Sequence, residues 1–118
     1  MNVFKRIATI AIAASLVIGA SVAAFAEPTG YTWKQNQYTK KWYLYDENHK
    51  KLTSWQLDNG KVYFLDRTTG AMVTGFHKID EKWYYFDETG ARRVGWNLID
   101  GKWRCFNENG EMYINTHL

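Results

Sequence analysis

The sequence predicts an all-β protein, a short solenoid of stacked β-hairpins. Three observations predict it: one unit of about twenty residues is written four times, a two-residue hairpin turn sits at a fixed place in the unit, and counting outward from that turn gathers large rings on one face of each ribbon. The units are KKWYLYDENHKKLTSW from Lys40, GKVYFLDRTTGAMVTGF from Gly60, EKWYYFDETGARRVGW from Glu81 and GKWRCFNENGEMYINTH from Gly101. Their anchors Trp42, Val62, Trp83 and Trp103 are 20, 21 and 20 residues apart.

Residues 1–26 read as a secretory signal peptide. Lys5 and Arg6 open it, an apolar run extends from Ile7 to Ile18, and Ala24-Phe25-Ala26 supplies the small-residue cleavage pattern. A membrane anchor is the rival reading, but the break at Gly19-Ala20-Ser21 favours cleavage. The remaining chain, 27–118, is then one repeat domain of about four units. Trp33 is the tail of an incomplete unit and enters through a longer connection.

Asn59-Gly60 and Asp100-Gly101 suit a type I′ turn, which needs positive φ at both central residues. Asp80-Glu81 holds the same place with poorer turn chemistry. With Asp100 and Gly101 at the turn centre, Ile99 pairs with Lys102, Leu98 with Trp103, Asn97 with Arg104 and Trp96 with Cys105. Side chains alternate, so Trp96, Leu98, Trp103 and Cys105 share one face. The same count groups Phe76, Lys78, Trp83 and Tyr85, and before them Trp55, Leu57, Val62 and Phe64. A second turn follows each aromatic strand, closed by Gly70, Gly90 and Gly110. His49 stands there in the first unit, and a different turn is expected. Isolated hairpins are marginal in water, so the units must stack on their neighbours.

Composition narrows the function. The 118 residues include six Trp, eight Tyr and six Phe but one Cys and one Pro, which excludes a disulfide scaffold and leaves Cys105 without an internal partner. His49, His77 and His117 lie 28 and 40 residues apart, so zinc spacing is absent, and no metal or cofactor is expected. Two of the 15 basic residues belong to the leader, which leaves the rest at a net charge of +1 with acidic residues interleaved. No basic stripe tracks a phosphate backbone, and nucleic acid is excluded as a partner. Ser54 and Cys105 lie in no nucleophile motif, and the acidic residues follow the repeat into turns, so no enzyme is expected.

The strings TGFHKIDEKWYYFDETGARRVGW and NLIDGKWRCFNENGEM resemble the choline-binding, or cell-wall-binding, repeats of Gram-positive bacteria and their phages: Gly-Trp, about six residues, Trp-Tyr-Tyr, then a turn Gly. The likeness runs from about Trp33 to about Tyr113; glucan-binding domains and clostridial toxin tails share much of it. It implies a β-hairpin solenoid holding choline groups of teichoic acid in aromatic cages between consecutive hairpins. Carried over by position, Gly-Trp falls on Trp55, Phe76 and Trp96, the first aromatic on Trp42, Trp83 and Trp103, and the third on Tyr85. Departures are Val62 for the expected Trp, Leu44 and Cys105 for a cage Tyr, Phe64 without the hydroxyl, and Arg104 inside the aromatic run.

The fullest cage implied is Trp83, Tyr85 and Trp96 with Trp103, and the second is Trp42, Trp55 and Phe64 with Met72 as a soft wall. Phe76 is a further ligand-binding candidate. Tyr43, Tyr63 and Tyr84 are expected in the core, Asp46, Asp66 and Asp87 in turns, and Lys78 with its charged head in solvent. The reading is therefore a secreted, wall-associated module that binds choline or teichoic acid and has no membrane segment after leader cleavage. Alternatives are a glucan or other wall-polysaccharide binding module, with rings stacked on sugar faces, and a degenerate structural protein that self-associates through uncapped ends as a homodimer.

Overall fold

The computed structural model describes residues 30–114, and the signal peptide expected at 1–26 lies outside them. Eight strands form four two-stranded antiparallel sheets, with no helix among the described residues. Hairpin 1 is β1 (Thr32–Gln35) with β2 (Trp42–Tyr45), and hairpin 2 is β3 (Ser54–Asp58) with β4 (Lys61–Leu65). Hairpin 3 is β5 (Gly75–Ile79) with β6 (Lys82–Phe86), and hairpin 4 is β7 (Gly95–Ile99) with β8 (Lys102–Phe106).

The register is the one counted from the turns: Ile99 faces Lys102, Leu98 faces Trp103, Asn97 faces Arg104 and Trp96 faces Cys105. Hairpins 2 and 3 match as well, with Trp55 opposite Phe64 and Phe76 opposite Tyr85. Asn59 and Asp100 adopt φ of 50° and 51° ahead of their glycines. Asp80 and Glu81 take the same shape at 50° and 71°, which is strained for two residues bearing side chains. The Arg67 fork grips Asp80 with two bonds of 2.9 and 3.0 Å and helps to hold that turn.

The turn at His49 does not differ. His49 takes φ of 64° and its N–H donates to the Asp46 carbonyl at 3.0 Å, as Gly90 does to Asp87 at 2.8 Å. The carboxylate of Asp46 accepts from the Asn48 and Lys50 amides, and this closure holds a residue without glycine's freedom in the left-handed region. Asp87 and Asn107 close their turns in the same way, and Asp66 closes a turn one residue longer by accepting from the Thr68 and Thr69 amides.

These closures carry a pH dependence. The Thr69 and Thr68 amides hold the Asp66 carboxyl below its ordinary value. Burial pushes Asp87 up, but bonds from Thr89 and Ala91, with Arg93 at 3.6 Å, outweigh it and leave a net lowering. A carboxyl lowered by folding stabilises above its unfolded-state value, near about 3.9, and loses that contribution as pH falls through the folded value. Thermal melts are therefore expected to be flat from neutral pH to about 5 and to fall below about 4. Asp66→Asn with Asp87→Asn should flatten that acid limb, since Asn107 already makes the same turn uncharged.

Each ribbon has two faces, and the stack is front to back. We call front the face carrying Trp33 and Trp42, Trp55 and Val62, Phe76 and Trp83, or Trp96 and Trp103 in turn. The front of hairpin 2 meets the back of hairpin 3 in the core: Trp55, Leu57, Val62 and Phe64 pack with Ile79, Tyr84 and Phe86, and Val73 lies against them. In hairpin 4 the back is buried through Asn97, Ile99 and Phe106, while Trp96, Leu98 and Trp103 are exposed in front. One main-chain bond recurs at each joint. The Met72 amide donates to the Trp42 carbonyl at 2.8 Å, Arg92 to Val62 at 2.8 Å and Met112 to Trp83 at 2.9 Å. It ties the turn after one hairpin to the second strand of the hairpin before.

Candidate functional site

Because the stack is front to back, any pocket between hairpins takes its walls from unlike faces. Trp33 and Trp42 are diagonal neighbours on the front of hairpin 1, since Trp33 pairs with Leu44 and Gln35 with Trp42. Tyr63 comes from the back of hairpin 2, and Met72 from the turn that follows it. These four line one pocket of about 390 Å³, with Glu88 and Thr89 at its edge.

The pocket is held in shape from several sides. The Trp33 indole Nε1–H donates to Asp58 Oδ2 at 2.9 Å, which fixes the ring plane. Tyr63 meets Trp33 edge to face at 4.9 Å between centroids. Burial, then Asp58 and Asp87, push the Tyr63 hydroxyl up, so it stays neutral. Met72 is placed by its amide bond to Trp42 and by Gly90, whose φ of 89° leaves no room for a side chain: a Cβ there would run into the Met72 sulfur. Trp42 remains 38% exposed and leaves the mouth open.

Electrostatically the place favours a soft cation. Ring faces carry negative quadrupoles, and the carboxylates of Asp58 and Glu88 stand nearby. A quaternary ammonium offers no N–H to pair, so rings and a thioether satisfy it where a ring of oxygens is not needed.

The same four positions recur at the later joints with different occupants. At the second joint they are Trp55, Val62, Tyr84 and Arg92; Trp55 and Tyr84 keep the 4.9 Å edge contact, and the Arg92 guanidinium lies 5.5 Å over Trp55. Val62 supplies no ring there. At the third joint they are Phe76, Trp83, Arg104 and Met112, and the Arg104 guanidinium lies 5.2 Å over Phe76. Among the described residues the front of hairpin 4 supplies half a set: Trp96 and Trp103 line an open hollow of about 830 Å³ with Arg104, Cys105, Met112, Tyr113 and Ile114.

The expected cages are therefore divided. Trp42 and Met72 meet, but with Trp33 and Tyr63. Trp55 and Phe64 are buried against each other at 5.0 Å in the core, and Arg67 covers Phe64 at 5.3 Å. Trp83 lines a pocket with Asn107, Glu111 and Met112, whereas Trp96 and Trp103 line the hollow beyond. Tyr85 is spent on an edge contact with Phe76 at 4.9 Å. Sequence reasoning set Trp33 aside as a tail and Tyr63 as core. Their separation of 30 residues, matched by 29 from Trp55 to Tyr84, was the available signal.

Known proteins share this repeat and fold. Residues 73–117 match the family model for the choline-binding repeat, and residues 53–72 match that for a cell wall binding repeat. Choline binding protein F from Streptococcus pneumoniae is 34% identical at a TM-score of 0.67, over 75% of this chain and 28% of that one. The same protein in the presence of a peptidoglycan analogue, a tetrasaccharide-pentapeptide, aligns at 0.65 with the same identity and the same coverage of both chains. A truncated alternansucrase from Leuconostoc mesenteroides, 22% identical with a TM-score of 0.53 over 72% of this chain and 8% of that one, shares the fold. The chain thus spans just over a quarter of the pneumococcal protein it resembles. Comparison with curated proteins gives no significant match.

Proposed function

Because the chain belongs to the choline-binding repeat family of cell-wall-binding modules, we propose that it is an exported module that attaches noncovalently to choline-bearing teichoic acid. The observation that carries this reading is the first joint, where Trp33, Trp42, Tyr63 and Met72 line one open pocket together with the carboxylate-bearing Glu88. The trimethylammonium group sits among the three rings and the thioether, and the hydroxyl end of choline points out toward the polymer. Trp96 with Trp103 on the front of hairpin 4 is a secondary contact for the same polymer.

Magnitudes agree with a weak, repeated attachment. Each ring contributes about 0.5 to 2 kcal/mol to holding a cation, so three give on the order of 2 to 6. A millimolar Kd corresponds to about 4 kcal/mol. Retention on a wall then comes from several copies engaging one polymer, where linkage raises avidity by roughly 10² to 10⁴.

Titrating the protein with choline chloride while following Trp fluorescence should give a saturable change with a midpoint on the order of millimolar. A flat titration to about fifty times that concentration would reject the proposal. An isomalto-oligosaccharide run in parallel tests the carbohydrate alternative. Saturation by the sugar alone would select it.

A further inference from the structure

Resting on that reading, we infer that Arg104 is a resident cation of the third joint: its guanidinium lies over Phe76 and takes the part that a guest ammonium takes in the first joint, so this joint keeps its shape without a ligand.

Arg104 is the third-joint equivalent of Tyr63, since both stand next to the second-strand anchor on the back of the following hairpin. Where Tyr63 and Tyr84 meet Trp33 and Trp55 edge to face at 4.9 Å, Arg104 lies with Cζ 5.2 Å over the Phe76 ring. The ring it covers is the one that a guest would need. Its Nε is buried and makes no hydrogen bond among the described residues, so it faces apolar and ring atoms in place of water or a carboxylate. Guanidinium tolerates this better than ammonium because its charge is delocalised and weakly hydrated.

The rest of the third joint is intact. Trp83 is still 36% exposed, and Met112 keeps the amide bond to the Trp83 carbonyl that Met72 keeps to Trp42. Two residues separate this joint from the first, Phe76 for Trp33 and Arg104 for Tyr63, and of the two exchanges it is Arg104 that removes a ring. The second joint also differs by two, because Arg92 lies over Trp55 and Val62 stands where Trp42 and Trp83 supply rings. Arg92 also runs under the turn at Gly110, where a Cβ would come within 2.5 Å of its Cδ, so its stem is part of the stack. Arg104 is the residue whose replacement alone restores a ring set.

The test is residue-resolved NMR of the six Trp indole N–H signals during a choline chloride titration of the wild type and Arg104→Tyr. In the wild type the Trp33 and Trp42 signals are expected to move and saturate together, with Trp83 unmoved over that range. In Arg104→Tyr, Trp83 should move as well, with a midpoint within about tenfold of the first joint, since a ring replaces a like charge. Trp83 moving equally in both proteins, or in neither, overturns the inference while Trp33 and Trp42 still report on the first joint. If Trp33 and Trp42 stay still and Trp83 of the variant moves, the first-joint reading fails and the inference stands. Arg104→Gln, which removes the charge but keeps a long stem, guards against a variant that does not fold: it should show a weaker movement of Trp83, and none would again count against the inference.

Discussion

Trp33→Ala combined with Trp42→Ala is expected to weaken choline binding by at least about fivefold and leave a folded protein. Two of the three rings of the pocket are lost, each contributing about 0.5 to 2 kcal/mol. The affinity should fall by about five- to several hundredfold, since 1.4 kcal/mol is a factor of ten. Starting from a millimolar constant, the upper part of that range lies beyond practical titration. Neither ring is in the buried cluster of hairpins 2 and 3, and Trp42 is already partly in solvent. Trp42→Ala alone is the cleaner variant, because Trp33 also donates to Asp58. The check is a calorimetric titration with choline chloride, since the variant lacks the reporting indoles, alongside a far-UV circular dichroism spectrum that should match the wild type. A double variant that binds choline within twofold of the parent would mean that the pocket lies elsewhere.

Phe86→Ala should have the largest effect on stability. Phe86 is fully buried and packs on Trp55 at 5.9 Å, Tyr84 at 6.5 Å and His77 at 6.3 Å between centroids. Truncating a buried Phe costs about 3 to 5 kcal/mol. The whole stability of a small domain is about 5 to 15 kcal/mol, so most of the margin is removed. At about 4 °C or more per kcal/mol, Tm should fall by at least about 12 °C. Because Phe86 belongs to the back of hairpin 3, the joint with hairpin 2 loosens first. A urea titration should show a lower midpoint, and a change of less than about 1 kcal/mol would show that this joint does not bear the fold.

Much of the architecture was legible in the residues. Period, register and turn geometry are local properties, and Asn59-Gly60 and Asp100-Gly101 dictate them through φ alone. At His49 the absence of glycine suggested a different turn, whereas the Asp46 carboxylate and amide bonds enforce the same left-handed step. The site was half legible. Alternation tells which rings share a face, but not which face the next hairpin turns toward it. That is decided by the bonds from Met72, Arg92 and Met112 to the carbonyls of the previous ribbon, and these leave no mark on side-chain identity. Pairing Trp83 with Trp96 joined two fronts; the chain joins a front to a back. Trp42 therefore finds Trp33 and Tyr63, and Trp55 finds Tyr84.

Those amide-to-carbonyl ties have an outcome for how such chains change over generations. The rung that fastens each ribbon to the next is made by main-chain atoms of Trp42, Val62 and Trp83 alike, so it survives when indole gives way to isopropyl. Assembly and recognition are thereby uncoupled: a berth can fall silent, or be reawakened, by one side-chain exchange while the ladder around it stands.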